Sequence, residues 1–190
     1  MPISIRCLTP SEFALNVDAL LDVYITAMSY DPRVRASRRR SWLSDITKPG
    51  FVAFIAEDSG KVAGVAYGFL GNRESWWDRQ LRLALRKRQF ATNHIEPLLA
   101  SYFEVAEVHV LPDFQGQGIG RFLLEKLLSN TPAQWALLST PEVKNEANLA
   151  FGLYRSLGFR DLVRHYYYPS DERPFAILAK PLCPSAAVRM

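Results

Sequence analysis

Apolar residues recur along this chain with two periods, and the alternation between them predicts the order of elements. Residues 12–28, EFALNVDALLDVYITAM, carry apolar positions at helical spacing, and Pro10-Ser11 open that helix. After the Asp31-Pro32 break a basic segment runs to Trp42 and on to Ile46, a second predicted helix. Residues 2–8, PISIRCL, read as a short strand ahead of both. FVAFIAED (51–58) and KVAGVAYGFL (61–70), separated by Ser59-Gly60, predict a hairpin with a tight turn. Residues 74–90, ESWWDRQLRLALRKRQF, place Trp77, Leu81 and Leu85 on one helical face. FEVAEVHVLP (103–112) alternates as a strand does, and Pro112 ends it because proline cannot continue a central ladder. A glycine-rich stretch and a helix to about Ser129 follow, then the buried strand QWALLST (134–140). Residues 145–157 predict a helix stopped by Gly158, and two last strands, 160–168 and 174–182, flank the turn SDER.

The predicted order is β-α-α-β-β-(α)-β-α-β-α-β-β. That is a mixed α/β sheet with helices on its faces, without the regular βα alternation of a Rossmann domain.

Length and composition narrow the class. The 190 residues suit one domain over 1–190, with 183–190 as a short tail. Hydrophobic residues make up 48% and charged residues 22%, the balance of an ordinary globular protein. No apolar run approaches the ~20 residues of a membrane span. The start MPISIRCLTP lacks a signal peptide's basic and apolar regions, and Cys7 and Cys183 read as free thiols, so a cytoplasmic location is expected. No Cys/His spacing suggests a metal site. The formal charge of +4 is too mild for a nucleic-acid-binding face. The basic clusters RVRASRRR (33–40) and LRLALRKR (81–88) read as solvated helix faces, or as an attraction for a small anionic ligand.

Residues 115–128, QGQGIGRFLLEKLL, carry the chemistry. Glycine inside a helix costs roughly 1 kcal/mol relative to alanine, yet Gly116, Gly118 and Gly120 sit where a helix is about to start. A strand, a glycine turn and a helix make an anion site: the first helical amides have no internal partner and carry the positive end of the macrodipole. The spacing fits neither a Walker loop, GxxxxGK[ST], nor a dinucleotide fingerprint, GxGxxG.

Gln115-x-x-Gly118-x-Gly120, preceded by VHVLPDF and followed by FLLEKLL, resembles the acyl-CoA-binding motif Q/R-x-x-G-x-G/A of the GNAT superfamily of N-acetyltransferases. LAFGLYRSLGF (149–159) resembles that family's later motif, a helix with a tyrosine followed by a turn and Gly-Phe. The element order matches over nearly the whole chain. The resemblance implies a mostly antiparallel sheet of about seven strands, with helices on both faces and a V-shaped splay between strands 4 and 5. It implies acetyl-CoA as co-substrate and an amine acceptor, and dimers are common in the family; the spacing, run lengths and charge above add the expectation of no metal and no membrane or nucleic-acid partner.

By the same resemblance the backbone of Val108, His109 and Val110 would pair with pantetheine, and a backbone N–H near Val110 would polarise the thioester carbonyl. The amides of Gly116, Gln117, Gly118, Ile119, Gly120 and Arg121 would hold the pyrophosphate, leaving the side chains of Gln117 and Ile119 free to vary. Tyr154 would be the general acid beside the sulfur. Glu104, Glu107 and His109 are the candidate bases for the attacking amine, with Glu142 or no dedicated base as the remaining readings. The family often has an asparagine seven residues before the tyrosine; Ala147 stands there, flanked by Asn145 and Asn148, and Asn148 is taken as the substitute contact.

The acceptor is less legible. Trp76 and Trp77 cannot both face the core on one helix, so one of them, with Glu104, is a candidate acceptor contact. Trp77, Asp78 and Glu104 would suit a cationic small molecule, and equally a peptide or lysine amine. Two functions follow: an acetyltransferase acting on a small or protein amine, or a non-catalytic acyl-CoA-binding module on the same fold.

Overall fold

The computed structural model describes residues 3–87, 92–169 and 171–182. Seven strands form one sheet: β1 (Ser4–Leu8), β2 (Val52–Asp58), β3 (Lys61–Leu70), β4 (Tyr102–Val110), β5 (Trp135–Pro141), β6 (Arg160–Tyr166) and β7 (Phe175–Pro181). Their order is β1-β2-β3-β4-β5-β7-β6. β1 and β3 pair antiparallel with β2, and β5 and β6 pair antiparallel with β7. β4 and β5 are parallel through three pairs, from Tyr102↔Trp135 to Glu104↔Leu137. The expected mixed, mostly antiparallel sheet of seven strands is what the chain forms.

The helices are α1 (Pro10–Met28), α2 (Arg35–Asp45), α3 (Trp76–Lys87), α4 (Thr92–Ala100), α5 (Ile119–Ser129) and α6 (Leu149–Ser156). The chain divides into two compact units: residues 1–69 with 105–131, and residues 70–104 with 132–190.

In the first unit Thr9 caps α1. Its hydroxyl accepts from the Glu12 amide at 3.2 Å, while Glu12 accepts from the Thr9 amide at 2.8 Å, so two orphan amides are satisfied reciprocally. α1 and α2 then bury Phe13, Leu20, Leu21 and Trp42 against Ile55, Val65 and Tyr67, each at most 1% exposed. Val65, Tyr67 and Phe69 share one face of β3, so Gly64, just before them, lies on the other. A Cβ there would sit 3.1 Å from both the His109 carbonyl oxygen and Leu123 Cδ1, so the missing side chain lets α5 close on that opposite face. The basic helix face is mostly neutralised: Arg35 pairs with Asp22, Arg39 with Asp18 and Arg33 with Asp31. Of the two expectations for residues 33–40, the solvated face fits this pairing.

In the second unit, Leu81, Ala84 and Leu85 of α3 pack with Leu98, Tyr102, Val163 and Ile177. Gly71 carries a strict steric demand: a Cβ there would lie 2.1 Å from Tyr102 Cζ.

Three elements differ from the sequence expectation: α4, α6 and β6. Residues 88–90 of the expected 74–90 helix lie outside the described residues, and α4 follows, a helix that the sequence pattern around Pro97 concealed. The helix expected over 145–157 starts at Leu149. Asn145 has φ 55°, and the Asn148 side chain accepts from the Phe151 amide at 2.8 Å, which makes Asn148 the N-cap. The strand expected to reach 168 ends at Tyr166, after an irregular pairing around Val163 and a positive φ at His165. The tail 183–190, Cys183 included, lies outside the described residues.

Candidate active site

The glycine turn lies in the first unit. Pro112–Phe114 form a single 3-10 turn after β4, and α5 begins at Ile119 with Gly118 as its N-cap. Gly116 and Gly118 have φ of 75° and 82°, the left-handed region where a side chain is strained. A Cβ on either would meet nothing within 4 Å, so the surface above the turn is open and the backbone shape alone demands glycine. Gly118 offers no side-chain cap to the first amides of α5. An open turn that leaves helix-start amides without a side-chain acceptor fits a phosphate-bearing group. Leu123, Leu124 and Leu127 are fully buried and fix the direction of the helix. Ile119 is 4% exposed, so its side chain anchors the turn to the core and is not free to vary, contrary to the sequence expectation. Arg121 pairs with Glu125 at 3.3 Å. Gln115 Nε2 donates to the Val110 carbonyl at 2.9 Å, tying the turn back to the end of β4.

Glu107 and His109, two residues apart on β4, meet on one face. His109 Nε2 and Glu107 Oε2 are 2.6 Å apart. A carboxylate only accepts, so Nε2 carries the hydrogen, and in the neutral ring Nδ1 is the acceptor. The Tyr24 ring stands edge-on to His109 with centroids 5.0 Å apart, and Arg38 reaches Glu107 Oε1 at 4.0 Å. Val108, His109 and Val110 are half-buried along the strand.

Glu104 and Tyr154 belong to the second unit. Glu104 is partly buried; burial chiefly raises the phenols of Tyr102 and Tyr168, Tyr102 also through its hydrogen bond to Asp78, and the Glu104 charge adds a smaller push on both. Tyr168 is pushed up to about 12, chiefly by burial. Its hydroxyl accepts from Trp77 Nε1 at 3.0 Å and donates to Ser139 Oγ at 2.9 Å. Trp76 is 50% exposed, with its ring 5.5 Å from that of Tyr168. Tyr166 and Tyr168 turn inward while Tyr167 is exposed. Asp78, expected as part of an acidic cleft, is fully buried: it accepts from the Tyr102 hydroxyl at 2.8 Å and from Arg82 Nε at 2.5 Å. It is spent on structure. Tyr154 lies on α6, 8% exposed, its ring 5.9 Å from Phe159.

Glu142 is equally committed. It accepts from Arg164 Nε at 2.8 Å and the His165 amide at 2.7 Å, and pairs with His165 Nδ1 at 2.8 Å. Burial alone would push its carboxyl up, but those hydrogen bonds and charges together hold it below the usual glutamate range. A carboxylate held in that way is a poor proton acceptor. Arg164 and Arg155 extend this network to Glu146 and Asp161.

A model of the GNAT acetyltransferase domain matches residues 49–161, from β2 into β6. The chain belongs to the GNAT acetyltransferase family. A GCN5-like protein acetyltransferase of Mycobacterium tuberculosis is 35% identical over 96% of this chain and 99% of its own length. The ribosomal protein bS18-alanine N-acetyltransferase of Salmonella typhimurium is 35% identical over 55% of this chain and 70% of its own. A solved acetyltransferase of Salmonella typhimurium, determined with its cofactor acetyl-CoA, superposes with a TM-score of 0.61 over 97% of this chain and 96% of its own, at 18% identity, a likeness of fold. This GNAT member is therefore an acyltransferase, which sets aside the non-catalytic module that the motifs alone left open.

Within this GNAT fold the expected site residues divide between the units. The glycine turn, Val108–Val110, Glu107 and His109 lie in the first; Glu104, Trp76, Trp77, Asn148 and Tyr154 lie in the second. Asn148, expected at the cofactor, has its side-chain oxygen engaged as a helix cap. Sequence reasoning missed Tyr24 and Arg38, which come from α1 and α2 to the Glu107–His109 pair. Nothing in their helical spacing distinguishes them from core and surface residues. Among the described residues, no helix is long and apolar enough to cross a membrane, and no cluster of three or more His, Cys, Asp or Glu could hold a metal.

Proposed function

We propose that this protein transfers the acetyl group of acetyl-CoA to a primary amine by direct attack, and that the amine belongs to a protein or peptide. The observation that carries the donor half is the left-handed pair Gly116 and Gly118 at an uncapped helix start, in a chain of the GNAT family. The names of the relatives carry the acceptor half: one is a protein acetyltransferase and another acts on the alanine of a ribosomal protein.

Acetyl-CoA, when bound, supplies a reactive acetyl thioester. The amides of residues 116–121 hold its pyrophosphate, and the backbone of Val108–Val110 aligns the pantetheine arm. The acceptor amine must lose a proton before it attacks, since an alkyl ammonium titrates near 10. His109 is suited to take it: Glu107 fixes the tautomer that leaves Nδ1 as acceptor. Glu104 is the second candidate. Tyr154 supplies the proton that the departing thiolate requires.

Thiol release with acetyl-CoA and a panel of peptide amines tests this directly, alongside calorimetric binding of acetyl-CoA. Tyr154→Phe is expected to lower kcat by on the order of 10²-fold, the lower end of general acid–base catalysis, with acetyl-CoA affinity near wild type. Unchanged turnover would remove Tyr154 from the mechanism. No thiol release with any amine would overturn the acetyl-transfer reading.

A further inference from the structure

The face of the Tyr24 ring and the free oxygen of Glu107 together form an acidic, aromatic corner, and a cation already stands in it. Tyr24 is packed edgewise by Tyr30, Trp42 and His109, with centroids 5.4, 5.5 and 5.0 Å away. The Arg38 guanidinium carbon lies 5.3 Å from the Tyr24 centroid, within range of the negative ring face. Arg38 Nη1 is also 4.0 Å from Glu107 Oε1, the oxygen that His109 leaves over.

This cation is loosely held. At 4.0 Å the contact with Glu107 is an ion pair without a hydrogen bond, and the Arg38 side chain is 44% exposed. Its neighbours are not loose. Tyr24 is 2% exposed, and Glu107 is braced by His109. A rigid carboxylate-and-aromatic corner filled by a weakly tethered arginine is the arrangement of a cation site with a built-in occupant. An ammonium that reaches it can make the same two contacts, so that displacing Arg38 into solvent costs one ion pair and one cation–π contact.

We propose that Glu107 and Tyr24 form a subsite for the ammonium group of the acceptor, with Arg38 as the stand-in cation that the acceptor displaces. This rests on the acetyl-transfer reading for what the acceptor is, but the subsite itself requires only a cation. Arg38 is then a specificity-determining residue: it sets a threshold that a neutral ligand cannot cross and a cationic one can.

The test is a chemical-shift titration of the free protein with n-butylammonium chloride and with n-butanol, followed at the His109 ring. Arg38→Met is expected to bind n-butylammonium about threefold to thirtyfold more tightly than wild type, the worth of one exposed ion pair and one exposed cation–π contact. n-Butanol affinity is expected to be unchanged. Arg38→Lys, which keeps a cation at the corner, should behave as wild type, and Glu107→Gln in the Arg38→Met background should abolish the gain. Equal n-butylammonium affinity in Arg38→Met and wild type would overturn the proposal, as would a gain that survives Glu107→Gln or extends equally to n-butanol. No acetyl-CoA is present, so a failure of acetyl transfer and a failure of this subsite are separate results.

Discussion

Replacing Asp78 by alanine separates a structural carboxylate from a substrate-binding one. Asp78 is fully buried and joins three parts of the second unit. Its carboxylate accepts from Tyr102 of β4 and pairs with Arg82 one helical turn on, and its amide donates to the Ser75 hydroxyl oxygen at the start of α3. The alanine variant strands the Tyr102 hydroxyl in a residue 3% exposed and leaves the Arg82 guanidinium, 15% exposed as a side chain, without its carboxylate. Breaking a buried pair from one side costs about 3–5 kcal/mol, and the partial solvent access of Arg82 favours the lower half of that range. Tyr102→Phe removes one hydrogen bond to a charged group, about 1.5–3 kcal/mol. Urea unfolding followed by tryptophan fluorescence reads both: with a slope of about 2–3 kcal/mol/M, Asp78→Ala should lower the midpoint by about 1–2 M. The double variant should fall short of the sum, because both changes remove the same contact. A midpoint within about 0.3 M of wild type, or a loss of acceptor affinity without loss of stability, would refute the structural role and return Asp78 to the acceptor cleft.

Two further expectations concern steric fit and pH. Gly71→Ala drives a Cβ into the Tyr102 ring, with the nearest atom at 2.1 Å, and should cost about 1–3 kcal/mol or more in thermal denaturation; an unchanged midpoint would show that the ring moves freely. Glu142, buried but held down by Arg164 and His165, and Glu146, held down chiefly by Arg155, have folded values below their unfolded ones. Their contribution to stability is present above the unfolded value of about 4.3 and is lost as pH falls through the folded one. Glu142→Gln should therefore flatten the decline of stability below about pH 4.3, and an acid limb as steep as wild type would contradict the assignment.

The elements most legible in the sequence are those set by backbone chemistry within a few residues. Gly116 and Gly118 announce a left-handed turn because only glycine adopts it without strain, Ser59-Gly60 announces the β2–β3 turn, and Gly158, at φ 86°, ends α6. Glu107 and His109 could be placed on one face because a strand repeats every two residues. α4 was not legible, because Pro97 signals a break from within a short helix whose apolar residues gain their value only when packed.

The sequence by itself determined the order of elements apart from α4, and the place of the glycine turn, since both follow from local periodicity and from the conformational freedom of glycine. The tertiary structure alone decided what each polar side chain does. Asp78 meets Tyr102 across 24 residues, Trp77 meets Tyr168 across 91, and Arg38 comes from α2 to Glu107 on β4. A carboxylate in a sequence is equally a base, a binding group or a buried brace. Which it becomes depends on the burial and the partners that folding imposes, because these set the cost of its charge and the donors within reach.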